Sequence, residues 1–210
     1  MVLRFFMLAF LLSCSVVNEG EEYGEFISQT TEIKFLDSRD STVYRAVEIE
    51  LKKVGKLQQK EVYVWMRENL NFYAEGSKCY NDDTANCDKY GRLYDWETAM
   101  TVCPSGWHLL SVKDWDNIVS NIDIESGLLS GIIDEEYSND GKVWRGLGGH
   151  GFSDGSFSDI GTSGYWWTSS ENNVNAYFQH LYYLSGKTDR NSDDKNNLLS
   201  VRCVLNQLSE

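Results

Sequence analysis

The sequence predicts an α+β domain built from short helices and many short strands, crosslinked by disulfides. The stretch Gly91–Trp115 carries two short apolar stripes at helical spacing, separated by a Pro-Ser-Gly turn. The chain has 17 glycines, 12 tyrosines and one proline in 210 residues, a composition that favours strands and turns over a helical bundle. Its five cysteines favour covalent crosslinks in an exported protein.

The first residues resemble a bacterial secretory leader. Arg4 precedes an apolar run that is too short to span a bilayer. Leu11-Leu-Ser-Cys14 resembles a lipobox, which implies cleavage before Cys14 and lipidation of that residue. The alternative is an ordinary signal peptide with an incidental cysteine. The predicted organisation is a lipoprotein signal peptide over 1–13, a lipidated tether over 14–32 and a folded domain over 33–206.

The charge of the chain restricts its partners. The formal net charge is −13 at pH 7, which argues against nucleic acid as a partner and against docking on anionic lipid through basic residues. A lipid on Cys14 would instead attach the chain to a bilayer without help from its charge. We therefore expect an exported protein anchored at the outer membrane or cell surface.

Alternating apolar residues predict the first strands. Ile33–Asp40 and Val43–Leu51 form a hairpin through a turn at Asp37–Ser41. The second run predicts one shared face, made of Val43, Arg45, Val47, Ile49 and Leu51. The later strands are predicted at Glu61–Leu70, Ala176–Leu184 and Leu198–Leu205, with loops over Lys52–Glu61, Trp144–Trp167 and Ser185–Asn197.

Two helices are predicted between these strands. Asp95 is placed to cap the first helix, whose buried stripe comprises Trp96, Ala99, Met100 and Cys103. Ser111-Val-Lys-Asp114 has the pattern of a capping box and begins the second helix. The second buried stripe comprises Trp115, Ile118, Val119 and Ile122.

The cysteine spacing predicts two disulfides. Cys79 and Cys87 flank a turn-rich loop and are close enough in sequence for a local bond. Cys103 is expected on a buried helix face, and we propose Cys203 in the last strand as its partner. A four-cysteine zinc site is the alternative, although the chain has no CxxC pair.

Six segments in order resemble the Fibrobacter succinogenes major paralogous domain, which occurs in exported bacterial proteins. They are FLDSRD (35–40), WMRENL (65–70), YGRLYDW (90–96), CPSGWHL (103–109), WWTSSE (166–171) and SVRC (200–203). That family in turn resembles C-type-lectin-like and formylglycine-generating-enzyme-like folds. The resemblance implies two short helices flanking a small twisted antiparallel sheet with long irregular loops, and it supports pairing of Cys103 with Cys203.

Two binding chemistries are compatible with the C-terminal half. Oxygen ligands on Asp154, Asp159, Glu171 and Asn172 could hold calcium, although the Glu-Pro-Asn and Trp-Asn-Asp motifs of sugar-binding C-type lectins are absent. Aromatic rings could stack on the apolar faces of a sugar. His150 lies between glycines in a predicted exposed loop and could bind a ligand, although nothing pairs with it in the sequence. The candidate ligand-binding residues are Trp144, His150, Asp154, Asp159, Tyr165, Trp166, Glu171 and Asn172.

The leading hypothesis is a non-enzymatic, surface-anchored binding or adhesion module whose ligand is a glycan or an envelope protein. A cysteine-dependent enzyme of the formylglycine-generating type is the alternative, but that chemistry needs free thiols, whereas disulfides account for the four cysteines after Cys14. An envelope scaffold without a discrete ligand is a third possibility. No cofactor is expected, apart from the calcium considered above.

Overall fold

The computed structural model describes residues 28–53, 59–121, 135–138, 141–144, 146–183 and 188–207. The predicted signal peptide, the predicted lipidation site Cys14 and the first part of the predicted tether lie outside the described residues. Within the described ranges, no helix is both long enough and apolar enough to cross a membrane.

The described chain is mostly strand, with three short α-helices. The helices are α1 (Thr84–Tyr90), α2 (Trp96–Ala99) and α3 (Val112–Asn121), and a 3-10 turn at Tyr80–Asp82 precedes α1. The strands are β1 (Ser28–Asp37), β2 (Thr42–Lys53), β3 (Gln59–Met66), β4 (Leu93–Tyr94), β5 (His108–Leu109), β6 (Glu135–Ser138), β7 (Gly141–Trp144), β8 (His150–Gly151), β9 (Phe157–Ser158), β10 (Ser163–Asn172), β11 (Asn175–Tyr182), β12 (Thr188–Asp194), β13 (Leu199–Ser200) and β14 (Cys203–Gln207).

Most of these strands form two five-stranded sheets. The first sheet has the order β1-β2-β3-β14-β5 and is antiparallel throughout. The second has the order β12-β11-β10-β13-β4, with one parallel pair between β10 and β13. The α+β class is confirmed, but two sheets replace the single small sheet that the resemblance implies. The closing strand β14 pairs with β3 and β5, whereas β1 lies at the edge.

The predicted hairpin between β1 and β2 is confirmed. Ser41 N donates to Asp37 O at 2.8 Å and closes the turn. The Asp37 carboxylate is fully buried and pairs with Arg39, whose Nη1 donates to Val102 O at 2.7 Å. β1 begins at Ser28, so the strand includes residues that the sequence suggested were tether.

The face that β2 was predicted to share among its alternating residues is buried only in part, at Ile49, and it is not the only buried face. Val43 is 57% exposed, while Tyr44 and Ala46 of the opposite face are buried. The reason is that the first sheet is covered on both sides. Tyr44 packs in one apolar cluster with Met66, and Ile49 packs in another with Trp65.

The first predicted helix is shorter than its apolar stripe suggested. The side chain of Asp95 accepts a hydrogen bond from Thr98 N at 2.8 Å, as expected of an N-cap, but α2 ends at Ala99. Met100 is 41% exposed, and Cys103 lies beyond the helix. After Ala99, the next buried residue is Val102 rather than Met100.

The capping box of the second predicted helix is confirmed. Ser111 Oγ accepts from Asp114 N at 3.1 Å, and the Asp114 carboxylate accepts from Ser111 N at 3.3 Å. Trp115 and Ile118 are buried as expected. The Val119 side chain and residue Ile122 lie outside the described part of the structure.

Both disulfides are confirmed, Cys79–Cys87 and Cys103–Cys203. The segment between the first pair was predicted to be a turn-rich loop, and it contains the 3-10 turn and the start of α1, which Asp83 caps through Ala85 N. No apolar stripe marks this helix, because most of its residues are polar. The second bond joins the chain after α2 to the first residue of β14.

The predicted final strand is divided between the two sheets. β13 belongs to the second sheet and β14 to the first, and the chain crosses between them at Val201 and Arg202. Both residues are buried. Likewise, the polar stretch predicted as a loop over Ser185–Asn197 contains β12, which pairs with β11 along its length.

Candidate functional site

The structure distributes the predicted site residues over separate places. Asp154 lies in an exposed turn, where its Oδ1 accepts from Ser156 N at 2.9 Å and Oγ at 2.6 Å, and these bonds lower the pKa of its carboxyl. Glu171, near the far end of β10, forms an ion pair of 3.2 Å with Lys195. Asn172 Nδ2 donates to the hydroxyl of Ser192 at 3.0 Å.

These positions do not form the calcium site considered from the sequence. Asp159 contacts Tyr165 near the start of β10, whereas Glu171 lies six residues further along the strand, about 20 Å at ordinary strand rise. In the described ranges, no three His, Cys, Asp or Glu residues lie together in a group that could hold a metal ion.

Trp166 does not offer an exposed ring. Its side chain is fully buried, and its Nε1 donates to Asn69 Oδ1 at 2.8 Å. The neighbouring Trp167 is also buried and donates to Tyr94 O at 2.8 Å. Neighbouring side chains of a strand point to opposite faces, but both sides of this strand are covered, so neither ring faces solvent. Trp144 ends β7, and its side chain lies outside the described part of the structure.

Three of the predicted residues do meet, around the start of β10. Tyr165 donates its hydroxyl proton to Asp159 Oδ2 at 2.9 Å. The His150 ring packs edge-on against Tyr165, with 4.3 Å between ring centroids, and its Nδ1 lies 3.8 Å from the same Asp159 oxygen. Phe152 also packs edge-on against His150, with the centroids 4.5 Å apart, and is 37% exposed.

His180 completes this group. It lies directly opposite Tyr165 in the β10–β11 ladder, and the two rings stack with a centroid distance of 4.7 Å and an angle of 24°. His180 Nε2 also lies 3.3 Å from Ser163 Oγ. Tyr182, 40% exposed, follows on the same face of β11 because strand side chains alternate. We call the surface formed by His150, Phe152, Asp159, Tyr165, His180 and Tyr182 the aromatic patch.

Burial controls the protonation of the patch. It lowers the pKa of His150 below its ordinary value of 6.5, against the opposing charges of Asp159 and Asp193. It also raises the pKa of Tyr165 to about 12, with the Asp159 carboxylate adding to the effect. At neutral pH the His150 imidazole is therefore neutral and the Tyr165 phenol is protonated. Such groups both donate and accept hydrogen bonds, and the partly exposed rings of Phe152 and Tyr182 lie in the same patch.

The sequence motifs meet in the interior rather than at this patch. Asn69 is the central residue, because its Oδ1 accepts from Trp166 Nε1 at 2.8 Å and from Arg202 Nε at 2.9 Å. Its Nδ2 donates to Tyr90 O at 2.8 Å and to the hydroxyl of Ser200 at 3.2 Å. Four of the six motif segments are thus connected through one buried amide.

Comparison with known families identifies this scaffold. The model of the Fibrobacter succinogenes major domain matches residues 61–205. The chain belongs to this family. Comparisons with curated proteins and with solved structures gave no match.

The family motifs are explained by the architecture of the Fibrobacter succinogenes major domain. Arg202 is fully buried over the Trp166 ring, at 5.1 Å from its centroid, and burial lowers its pKa to about 9, so it stays charged at neutral pH. The CPSGWHL and SVRC segments are joined by the Cys103–Cys203 bond. The ring-bearing residues of the aromatic patch lie outside the six segments.

Proposed function

We propose that this chain is the binding module of an exported, surface-anchored lipoprotein and that it recognises a glycan through the aromatic patch. The stacked pair of Tyr165 and His180 is the observation that carries the proposal. Sugars present apolar faces that pack on such rings, while their hydroxyls exchange hydrogen bonds with groups at the edge. Asp159 supplies a carboxylate beside the stack.

The proposed module is not an enzyme. All four cysteines of the described ranges are engaged in disulfides, which supports a binding role over thiol-dependent oxidation. The proposed kinship with C-type-lectin-like folds is supported by the bond that joins the chain after α2 to the closing strand. An envelope protein in place of a glycan is an outcome that the experiment below can reveal.

The test measures binding of the purified full-length chain to a panel of bacterial and plant polysaccharides by affinity electrophoresis. Tyr165→Ala removes the stacking ring and the hydroxyl, and we expect at least about tenfold weaker binding, equivalent to about 1.4 kcal/mol. Tyr165→Phe keeps the ring but loses the bond to Asp159, so its loss should be smaller.

The matched control is Tyr73→Ala, because Tyr73 is 67% exposed and belongs to neither the patch nor the second sheet. Equal losses in the Tyr73 and Tyr165 variants would refute the assignment of the site. Retention by isolated envelope proteins but by no polysaccharide would refute the glycan as ligand.

Anchoring is tested separately with Cys14→Ala. We expect this variant to move from the membrane fraction to the soluble exported fraction, because the lipid attachment point is lost. Membrane retention of the Cys14 variant would contradict the lipoprotein assignment.

A further inference from the structure

The two five-stranded sheets end in four edge strands, and three of these are poorly suited to pairing with another chain. β4 and β5 have two residues each. β12 carries four charged residues in its seven-residue sequence TDRNSDD. Short length and charged side chains are common ways in which proteins prevent an edge strand from pairing with a further strand. The fourth edge strand, β1, has neither protection to the same degree.

β1 is long and regular. Its ten residues, Ser28–Asp37, contain no proline, and all of them pair with β2 in one register without a bulge. Among the residues that the structure describes, no strand pairs with its other side. Near the end of β1, Lys34 is exposed and Leu36 is 57% exposed. A strand of this length and regularity can accept a further strand through its main-chain groups.

The hydrogen bonds of β2 show which main-chain groups of β1 face outwards. The carbonyl oxygen of Arg45 accepts from Arg67 N at 2.9 Å, so the main-chain groups of Arg45 point towards β3. Lys34 lies directly opposite Arg45 in the β1–β2 ladder. In an antiparallel ladder, two opposite residues point either towards each other or away from each other, and the direction alternates along the strand. The N–H and C=O groups of Glu32, Lys34 and Leu36 therefore face away from β2.

The charges of β1 complement each other in one antiparallel register of the strand with itself. Outward-facing residues must meet outward-facing residues, so the two-fold axis of such a pair passes through a residue position. With the axis at Ile33, Glu32 of each copy lies opposite Lys34 of the other, and opposite charges meet twice. An axis at Glu32 or at Lys34 would instead place two like charges opposite each other, which is unfavourable. The sequence of the strand thus favours the register centred on Ile33.

We propose that β1 pairs with β1 of a second copy of this chain about a two-fold axis at Ile33. The two first sheets then join into one continuous antiparallel sheet. This register pairs residues 29–37 of both copies, which is nearly the whole strand. It also places Leu36 of each copy opposite Thr30 of the other, so part of an exposed apolar side chain is removed from water. The same edge of each copy forms the contact, as a closed two-fold dimer requires, and the contact shares no residue with the aromatic patch.

The test measures association of the purified full-length chain by sedimentation equilibrium. All variants carry Cys14→Ala, so that no attached lipid can cause association. A contact between two strands is small, and we therefore expect a monomer–dimer equilibrium that depends on concentration. A monomer at every concentration up to about 0.5 mM would overturn the proposal.

Lys34→Pro tests the edge itself. The N–H of Lys34 faces away from β2, so its loss should leave the hairpin intact and abolish the dimer. The urea midpoint of the variant reports whether the fold is kept. A folded Lys34→Pro variant that dimerises as the wild type does would overturn the assignment of the contact to β1.

Exchange of charges tests the register. Glu32→Lys and Lys34→Glu each place like charges opposite at both pairs, and each should weaken the dimer at least about tenfold. An equimolar mixture of the two variants should associate as the wild type does, because opposite charges meet again at both pairs. These variants retain every main-chain N–H, so they decide the question even if the proline variant does not fold.

Lys113→Glu is the matched control for the change in net charge. Lys113 is exposed on α3, outside the first sheet, and its variant should dimerise as the wild type does. An equal loss of association in Lys113→Glu would overturn the assignment to β1, since net charge would then explain the effect. Two weakened single variants without recovery in their mixture would overturn the register centred on Ile33.

Discussion

Removal of the two disulfides one at a time should destabilise the domain to different extents. Cys103→Ala/Cys203→Ala opens a bond that spans a sequence separation of 100, whereas Cys79→Ala/Cys87→Ala opens one that spans 8. Chain-entropy arguments give about 4.7 kcal/mol for the long loop and about 2.5 kcal/mol for the short one. The expected difference is therefore about 2 kcal/mol.

Loss of sulfur packing should contribute little to that difference. Three of the four disulfide-bonded cysteines are buried, with Cys79 6% exposed, Cys87 4% and Cys203 0%. Cys103 is half-buried. Truncation to alanine therefore removes similar contacts in the two variants. The loop length remains as the main distinction.

Urea unfolding followed by tryptophan fluorescence measures both the unfolding midpoint and the m-value of each variant. We expect the Cys103/Cys203 variant to have the lower midpoint and the larger m-value, because its denatured state is released from the longer constraint. Equal losses of unfolding free energy in the two variants, or a greater loss in the Cys79/Cys87 variant, would refute the chain-entropy reasoning.

Three further perturbations test the local structure. Gly91→Ala should lower the free energy of unfolding by about 1–3 kcal/mol more than Gly155→Ala does. Both residues have positive φ, but of the two only Gly91 would bring the new Cβ against backbone atoms, those of Asn69. Equal losses in urea unfolding would contradict this. Ser111→Ala should lower the free energy of unfolding by about 1 kcal/mol through loss of the N-cap, and an unchanged midpoint would contradict it. The pKa of His150 in the folded state lies below 6.5, so as the pH falls the unfolded state binds a proton at this ring before the folded state does. The stability that the neutral His150 contributes is therefore complete above pH 6.5 and is lost as the pH falls below that value. An NMR titration of the ring protons with a midpoint above pH 6.5 would contradict this.

The helix-capping residues and the cysteine positions in the sequence were sufficient to predict much of the scaffold. Asp95 and Ser111 cap their helices as expected, because capping depends on a side chain and on main-chain N–H groups two or three residues away. The cysteine pairs were also predicted, Cys79–Cys87 from its short spacing and Cys103–Cys203 with the support of the family resemblance.

The burial of both faces of β10 could not be predicted from the alternation of its side chains. Trp166 and Trp167 point to opposite sides of β10, and alternation alone cannot tell whether both sides are covered. Trp166 packs in the cluster that contains Trp65, whereas Trp167 packs in the cluster that contains Met66. That distinction depends on how the two sheets pack, which is a tertiary property.

The candidate site was predicted in part. His150, Asp159 and Tyr165 were named from the sequence, but the role of His180 depends on the register that places it opposite Tyr165. A shift of one residue would turn His180 to the other face, and the β10–β11 ladder contains an irregularity between Trp167 and Glu171. Register of this kind is not visible in either strand alone.

The aromatic patch as a glycan site is tested most directly by the histidine ring protons in NMR spectra of the full-length chain. The protein has three histidines, of which His150 and His180 lie in the patch and His108 lies in β5 of the first sheet. Addition of a binding polysaccharide fragment should shift the ring signals of His150 and His180 and leave that of His108 in place. Movement of His108 alone, or unchanged patch signals while the glycan is bound, would contradict the account.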